Sequence, residues 1–129
     1  MSTIKANTLL HSDGSTTTQP SIPALDKRMA TAWASFQSSG TVAIQDSENI
    51  SSITDSGTGL WKPNFTTTMA NTNYAMAVTT SSTSGSHNDN TSIAYSRSTS
   101  QFTIIVSRSS SGATTDANQT YFVVMGGKA

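Results

Sequence analysis

Side chains able to do acid–base, metal or nucleophilic chemistry are few in this chain. There are two histidines, His11 and His87, one glutamate, Glu48, and six aspartates at positions 13, 26, 46, 55, 89 and 116, with no cysteine. The densest cluster is Ser86-His87-Asn88-Asp89-Asn90. Its oxygen donors suit calcium, but calcium sites draw on several carboxylates and this stretch has one, so it reads as a solvated loop tip. A Ser-His-Asp arrangement can be drawn from either histidine and any of the 23 serines, yet the G-x-S-x-G elbow that presents a serine nucleophile is absent. Polysaccharide hydrolysis needs two carboxyls about 5–10 Å apart. Asp46 and Glu48 flank an expected turn, where two acids read as solvated loop residues. Phosphate-cradling glycine fingerprints are also missing. The expectation is a protein that is not an enzyme and takes no cofactor or metal.

Two tryptophans, Trp33 and Trp61, offer flat faces on which a sugar ring could stack. In a chain so poor in large side chains, both are expected in the core or at a subunit interface, as are Tyr74 and Tyr95. Four N-x-S/T sequons, at Asn49, Asn64, Asn90 and Asn118, match what chance gives at this Ser/Thr content and signal nothing about glycosylation.

The elements that must position these residues follow from composition. Of 129 residues, 23 are Ser and 22 are Thr, about 35% of the chain, and Leu, Ile, Val and Phe together make up about 16%, under the rough 20% level associated with disorder. Disorder also calls for high net charge, whereas seven basic and seven acidic residues balance here. Thr favours strands and Ser favours turns, so the bias predicts a thin-cored β protein. Balanced charge without a Lys/Arg cluster leaves no electrostatic footprint for nucleic acid. No apolar run is long enough to span a membrane as a helix, and no secretory signal is visible at the start.

Residues 1–24 read as an extended arm whose apolar anchors are Ile4, Leu9, Leu10 and Ile22, ending at Pro20 and Pro23. It has too little apolar surface to offset its own ordering entropy, which predicts that another subunit holds it. The steps Leu25, Met29, Ala32 or Trp33, and Phe36 predict a short helical turn near 24–30 followed by a strand. Beyond Gly40, short alternating runs predict strands around Val42 and Ile44, Ile50 and Ile53, Trp61 to Phe65, Tyr74 to Val78, Ile93 and Tyr95, Phe102 to Val106, and Tyr121 to Met125. A turn is expected over 46–49, and Asp55-Ser56-Gly57-Thr58-Gly59 supplies a hairpin whose glycines can take positive φ. Pro63 cannot donate to a ladder, so its strand is expected at an edge or the proline at a bulge. The last strand, apolar on both faces, is expected to be central or buried at an interface. Together these predict an all-β fold, an antiparallel β-sandwich of about seven short strands over 25–129, with the scarce bulky residues kept inward.

The run from Gly40 to Gly59, with its Ser52-Ile53-Thr54-Asp55-Ser56-Gly57-Thr58-Gly59 turn, together with Ala32-Trp33 before it and Phe65-Thr66-Thr67-Thr68-Met69 and Asn73-Tyr74-Ala75 after it, resembles a module of tail-fibre and other virion proteins of tailed bacteriophages, cyanophages among them. The opening Ser2-Thr3-Ile4-Lys5-Ala6-Asn7-Thr8-Leu9 is similar to the start of such proteins. Pro63 stands where that module usually carries a β-branched residue. The resemblance implies a structural protein of the virion, assembled in the host cytoplasm and homotrimeric, whose arm attaches to other virion proteins. Two roles are compatible with it: a tail-fibre-type module contacting a host glycan or surface protein, and a capsid decoration protein that cements the head. For the first, the polar loops 81–91 and 109–118 are where recognition would sit, through His87, Asn88, Asp89, Asn90, Thr114 and Asp116.

Overall fold

Residues 28–81 and 90–127 are described by the computed structural model. Alternation drives nearly all of it into strands: β1 (Ala30–Gln37), β2 (Ala43–Glu48), β3 (Ile50–Gly57), β4 (Leu60–Phe65), β5 (Tyr74–Ser81), β6 (Asn90–Tyr95), β7 (Thr103–Arg108) and β8 (Gln119–Gly126). They form two four-stranded antiparallel sheets, sheet A in the order β2-β1-β8-β5 and sheet B in the order β3-β4-β7-β6. The sandwich expected from the alternation is present, with eight strands among the described residues.

The helical turn expected over 24–30 is not found in its described part. Arg28 and Met29 form a turn and Ala30 already opens β1, because the period-two set Ala32, Ala34 and Phe36 is buried and outweighs the three-to-four spacing. Residues 24–27 lie outside the described residues, as does the arm with Ile4, Leu9, Leu10 and Ile22. The turn expected over 46–49 is shorter than read: β2 runs to Glu48, and Asn49 alone, at φ 56°, passes the chain from sheet A to sheet B. Asparagine suits this left-handed corner because its short polar side chain bonds locally. Its Oδ1 accepts the Thr67 N–H at 2.7 Å, and its Nδ2 donates to the Thr31 and Thr67 carbonyls.

β4 is interior, not an edge. Its Pro63 is fully buried and faces inward with Trp61 and Phe65. The β4–β7 ladder pairs Leu60 with Ile105 and Trp61 with Ile104, lapses at the proline, and resumes in the same register at Asn64–Gln101. The sheet therefore accommodates the missing donor with a gap in the ladder and no bulge against β7. β8 is central, between β1 and β5.

The core is organised by all four phenylalanines. Trp61, Phe36, Phe122, Phe102, Phe65 and Tyr74 contact one another in sequence, with ring centroids 5.1–6.4 Å apart and mostly edge-to-face, the geometry ring quadrupoles favour. This chain of rings crosses between the sheets, and Ile104, Val106 and Val124 fill beside it. Where hydroxyls are buried they are satisfied: Thr120 Oγ1 donates to Ser38 Oγ at 2.8 Å, and Ser38 Oγ donates to the Ala117 carbonyl at 2.7 Å. Among the described residues no buried side-chain polar atom lacks a partner.

Candidate functional surfaces

The loop residues singled out from the sequence are placed unevenly. His87, Asn88 and Asp89 lie outside the described residues. Asn90 is the first residue of β6, opposite Arg108 on β7. Thr114 is exposed and bridges to Ser107. Asp116 has a structural role, because its Oδ1 accepts the Gly59 N–H at 2.7 Å and so ties segment 109–118 to the β3–β4 hairpin. Gly59, at φ 70°, admits no side chain, since a Cβ there would stand 2.5 Å from the Val106 carbonyl oxygen. The segment is further folded on itself by Gly112 N–H to Arg108 O at 2.7 Å and Arg108 N–H to Ala113 O at 2.9 Å. Among the described residues no group of three or more His, Cys, Asp or Glu could hold a metal ion.

Asp46 and Glu48 are on the edge strand β2 and not in a turn, both exposed and opposite Ser35 and Trp33 respectively. The aromatic residues divide. Trp61 and Tyr74 are core. The Tyr74 hydroxyl donates to the Ser98 carbonyl at 2.8 Å and Arg97 donates to the Tyr74 carbonyl at 3.0 Å; burial pushes the phenol's pKa above its usual value, with the Arg97 charge and the Ser98 bond acting the other way. Trp33 and Tyr95 are on the outer faces of the two sheets.

These outer faces are what the inward rule for bulky residues missed. On sheet B, Ile93 of β6 stands opposite Ile105 of β7, and Ile105 opposite Leu60 of β4, an aliphatic row across three strands. Ile93 is 52% exposed and Tyr95, two residues on and on the same face, 44%. The inward positions of β6 fall to Ser92, which donates to the Val78 carbonyl of the opposite sheet, and Ala94, packed on the core. On sheet A one row runs Glu48, Trp33, Val123, Ala77 across all four strands, and the next runs Asp46, Ser35, Tyr121, Thr79. Trp33 is half-buried, between the fully buried Ala32 and Ala34 of its own strand. A shallow depression of about 260 Å³ lies between β5 and β8, beside Tyr121 and Val123. A second cleft, of about 480 Å³, opens at one end of the sandwich and is lined by Thr31, Glu48, Asn49, residues 66–70 and Gly127.

The chain matches no protein-family model, no curated protein and no solved structure.

Proposed function

We propose that this chain is a non-enzymatic structural subunit of a tailed-phage virion, a homotrimeric tail-fibre-type module at the particle surface that takes part in host attachment. Its copies associate through the outer face of sheet B. The observation that supports the association is the aliphatic row Ile93–Ile105–Leu60 with Tyr95 beside it. A chain with eight isoleucines and four leucines leaves little apolar surface to spare, and a row that runs from the half-buried Leu60 and Ile105 to the exposed Ile93 is better covered by another protein than by water. Burial between copies adds stability at about 25 cal/mol per Å² of apolar area. The Ser- and Thr-rich sequence motif between Gly40 and Gly59 supports the virion assignment by its resemblance.

Light scattering of the full chain at micromolar concentration tests the assembly. The expected mass is three times the 13.5 kDa of one chain. Ile93→Lys is expected to return the mass to that of one chain with an unchanged far-ultraviolet circular dichroism spectrum. A folded monomer for the unaltered protein overturns the reading.

A further inference from the structure

We propose that the outer face of sheet A is a binding platform for a neutral glycan, with Trp33 as the ring on which a pyranose stacks. This deepens the attachment reading by naming the ligand class, and rests on it only for the biological source of the glycan.

The two tryptophans go to different places. Trp61 fills the core, 1% exposed. Trp33 is held on an interior strand of sheet A, β1 between β2 and β8, with its side chain on the outer face. Its row continues through Val123 and Ala77, small residues that keep the surface beyond the indole low. Tyr121 is its diagonal neighbour, since Tyr121 stands opposite Ser35; such diagonal positions are about 7–8 Å apart. The Tyr121 hydroxyl donates to Gln119 Oε1 at 2.5 Å and lies 3.2 Å from Ser81 Oγ, which fixes the ring. A short oligosaccharide lying along the face meets both aromatic rings and the depression beside them.

Polar groups suited to sugar hydroxyls flank the rings. Glu48 stands directly opposite Trp33, Asp46 lies one row away, and Ser35 donates to Gln45 beside them. A carboxylate accepts hydrogen bonds from hydroxyls without needing a counter-charge on the ligand. None of the paired outer-face positions in these rows is a lysine or arginine, so an anionic glycan lying on these rows meets two like charges and no cation among them. The centre of a protein–protein interface is depleted of charged residues, and a carboxylate beside the central indole departs from that pattern. The sheet B row of Ile93, Ile105 and Leu60 holds no charged residue, and the nearest charge on that face is Lys62, one row away on β4.

Affinity electrophoresis of the full chain through gels containing hydroxyethylcellulose, mannan, galactomannan, dextran or dextran sulfate tests the proposal. Retardation by at least one neutral polymer and not by dextran sulfate is expected. Trp33→Ala should weaken it at least tenfold with the far-ultraviolet circular dichroism spectrum unchanged, and Trp33→Phe should retain part of it. Glu48→Gln, an exposed edge position, should weaken it several-fold and serves where Trp33→Ala fails to fold. Retardation by no neutral polymer, retardation by dextran sulfate alone, or retardation indifferent to both substitutions overturns the platform. So does a Trp33→Ala protein whose mass in light scattering falls, which makes the face a contact between copies. Ile93→Lys leaves glycan binding per chain unchanged, so failure of assembly and failure of the platform are separately visible.

Discussion

Asp116 accepts the backbone N–H of Gly59 at 2.7 Å across 57 positions of sequence, and this bond fastens the β7–β8 connection onto the β3–β4 hairpin. Two further bonds run beside it, Val106 N–H to Gly59 O at 2.8 Å and Thr115 N–H to Val106 O at 3.0 Å. Gly59→Ala combines a positive φ with a collision against the Val106 and Thr115 backbones. It is expected to destabilise by on the order of 2–4 kcal/mol, against about 1 kcal/mol for Asp116→Ala. Chemical denaturation of the two variants checks the order; equal and small effects would show that the clamp is dispensable.

The phenol of Tyr74 gives the fold an alkaline limit. Its pKa is raised in the folded state, first by burial, with the Arg97 charge and the Ser98 hydrogen bond opposing. The folded protein thus favours the neutral phenol. That contribution is complete below the ordinary value of 10.0 and is lost as pH rises through the raised folded value. Urea midpoints should fall above pH 10, and the fall should be smaller in Tyr74→Phe, which itself costs about 1 kcal/mol at neutral pH through the lost bond. Identical alkaline slopes in the two proteins would exclude Tyr74 as the source.

Phe102 touches both Phe65 and Phe122 and is fully buried. Phe102→Leu leaves a modest void and is expected to cost about 1–2 kcal/mol, whereas Phe102→Ala is expected to cost about 3–5 kcal/mol. A single domain is held by only about 5–15 kcal/mol, so the alanine variant should melt many degrees lower. Thermal scans followed by near-ultraviolet circular dichroism measure both.

The buried pair Ser38 and Thr120 predicts non-additivity. Ser38→Ala strands the fully buried Thr120 hydroxyl and is expected to cost about 1–3 kcal/mol. Thr120→Val removes a donor but leaves Ser38 its bond to the Ala117 carbonyl. The double variant should be more stable than the sum of the two single losses implies, an interaction energy that a double-mutant cycle isolates. Simple additivity would mean that the two hydroxyls do not depend on each other.

Strand existence was legible wherever one face alternates strictly. Phe102, Ile104 and Val106 are buried as their spacing predicts, and the two-sided apolar run of β8 marks a central strand. What escaped was direction. Ile93 and Tyr95 alternate as cleanly as Tyr74 and Met76, but period two shows only that two residues share a face, never which side is inward. Facing sheets decide that, and on β6 the inside is taken by Ser92 and Ala94 because Ser92 finds the Val78 carbonyl. Pro63 misled for a related reason: its strand keeps register on both sides of the gap, which depends on β7 lying alongside and not on the local sequence. Trp33 could be read as large and apolar from sequence, while its place outside follows from Ala32 and Ala34 facing the core on either side of it.

β8 lies between β1 and β5, so Trp33 and Ser35 near the beginning of the described chain are paired with Val123 and Tyr121 near its end. Sheet A has no middle until its last strand arrives. Contacts of such long sequence separation slow folding, and on the ribosome the β1–β2 pair and β5 must wait for β8 to emerge before they can be joined. During that interval their open edges face one another and the nascent strands of neighbouring chains. The dearth of bulky residues then has a second merit, because Ser- and Thr-rich strands are poor nuclei for aggregation while they wait.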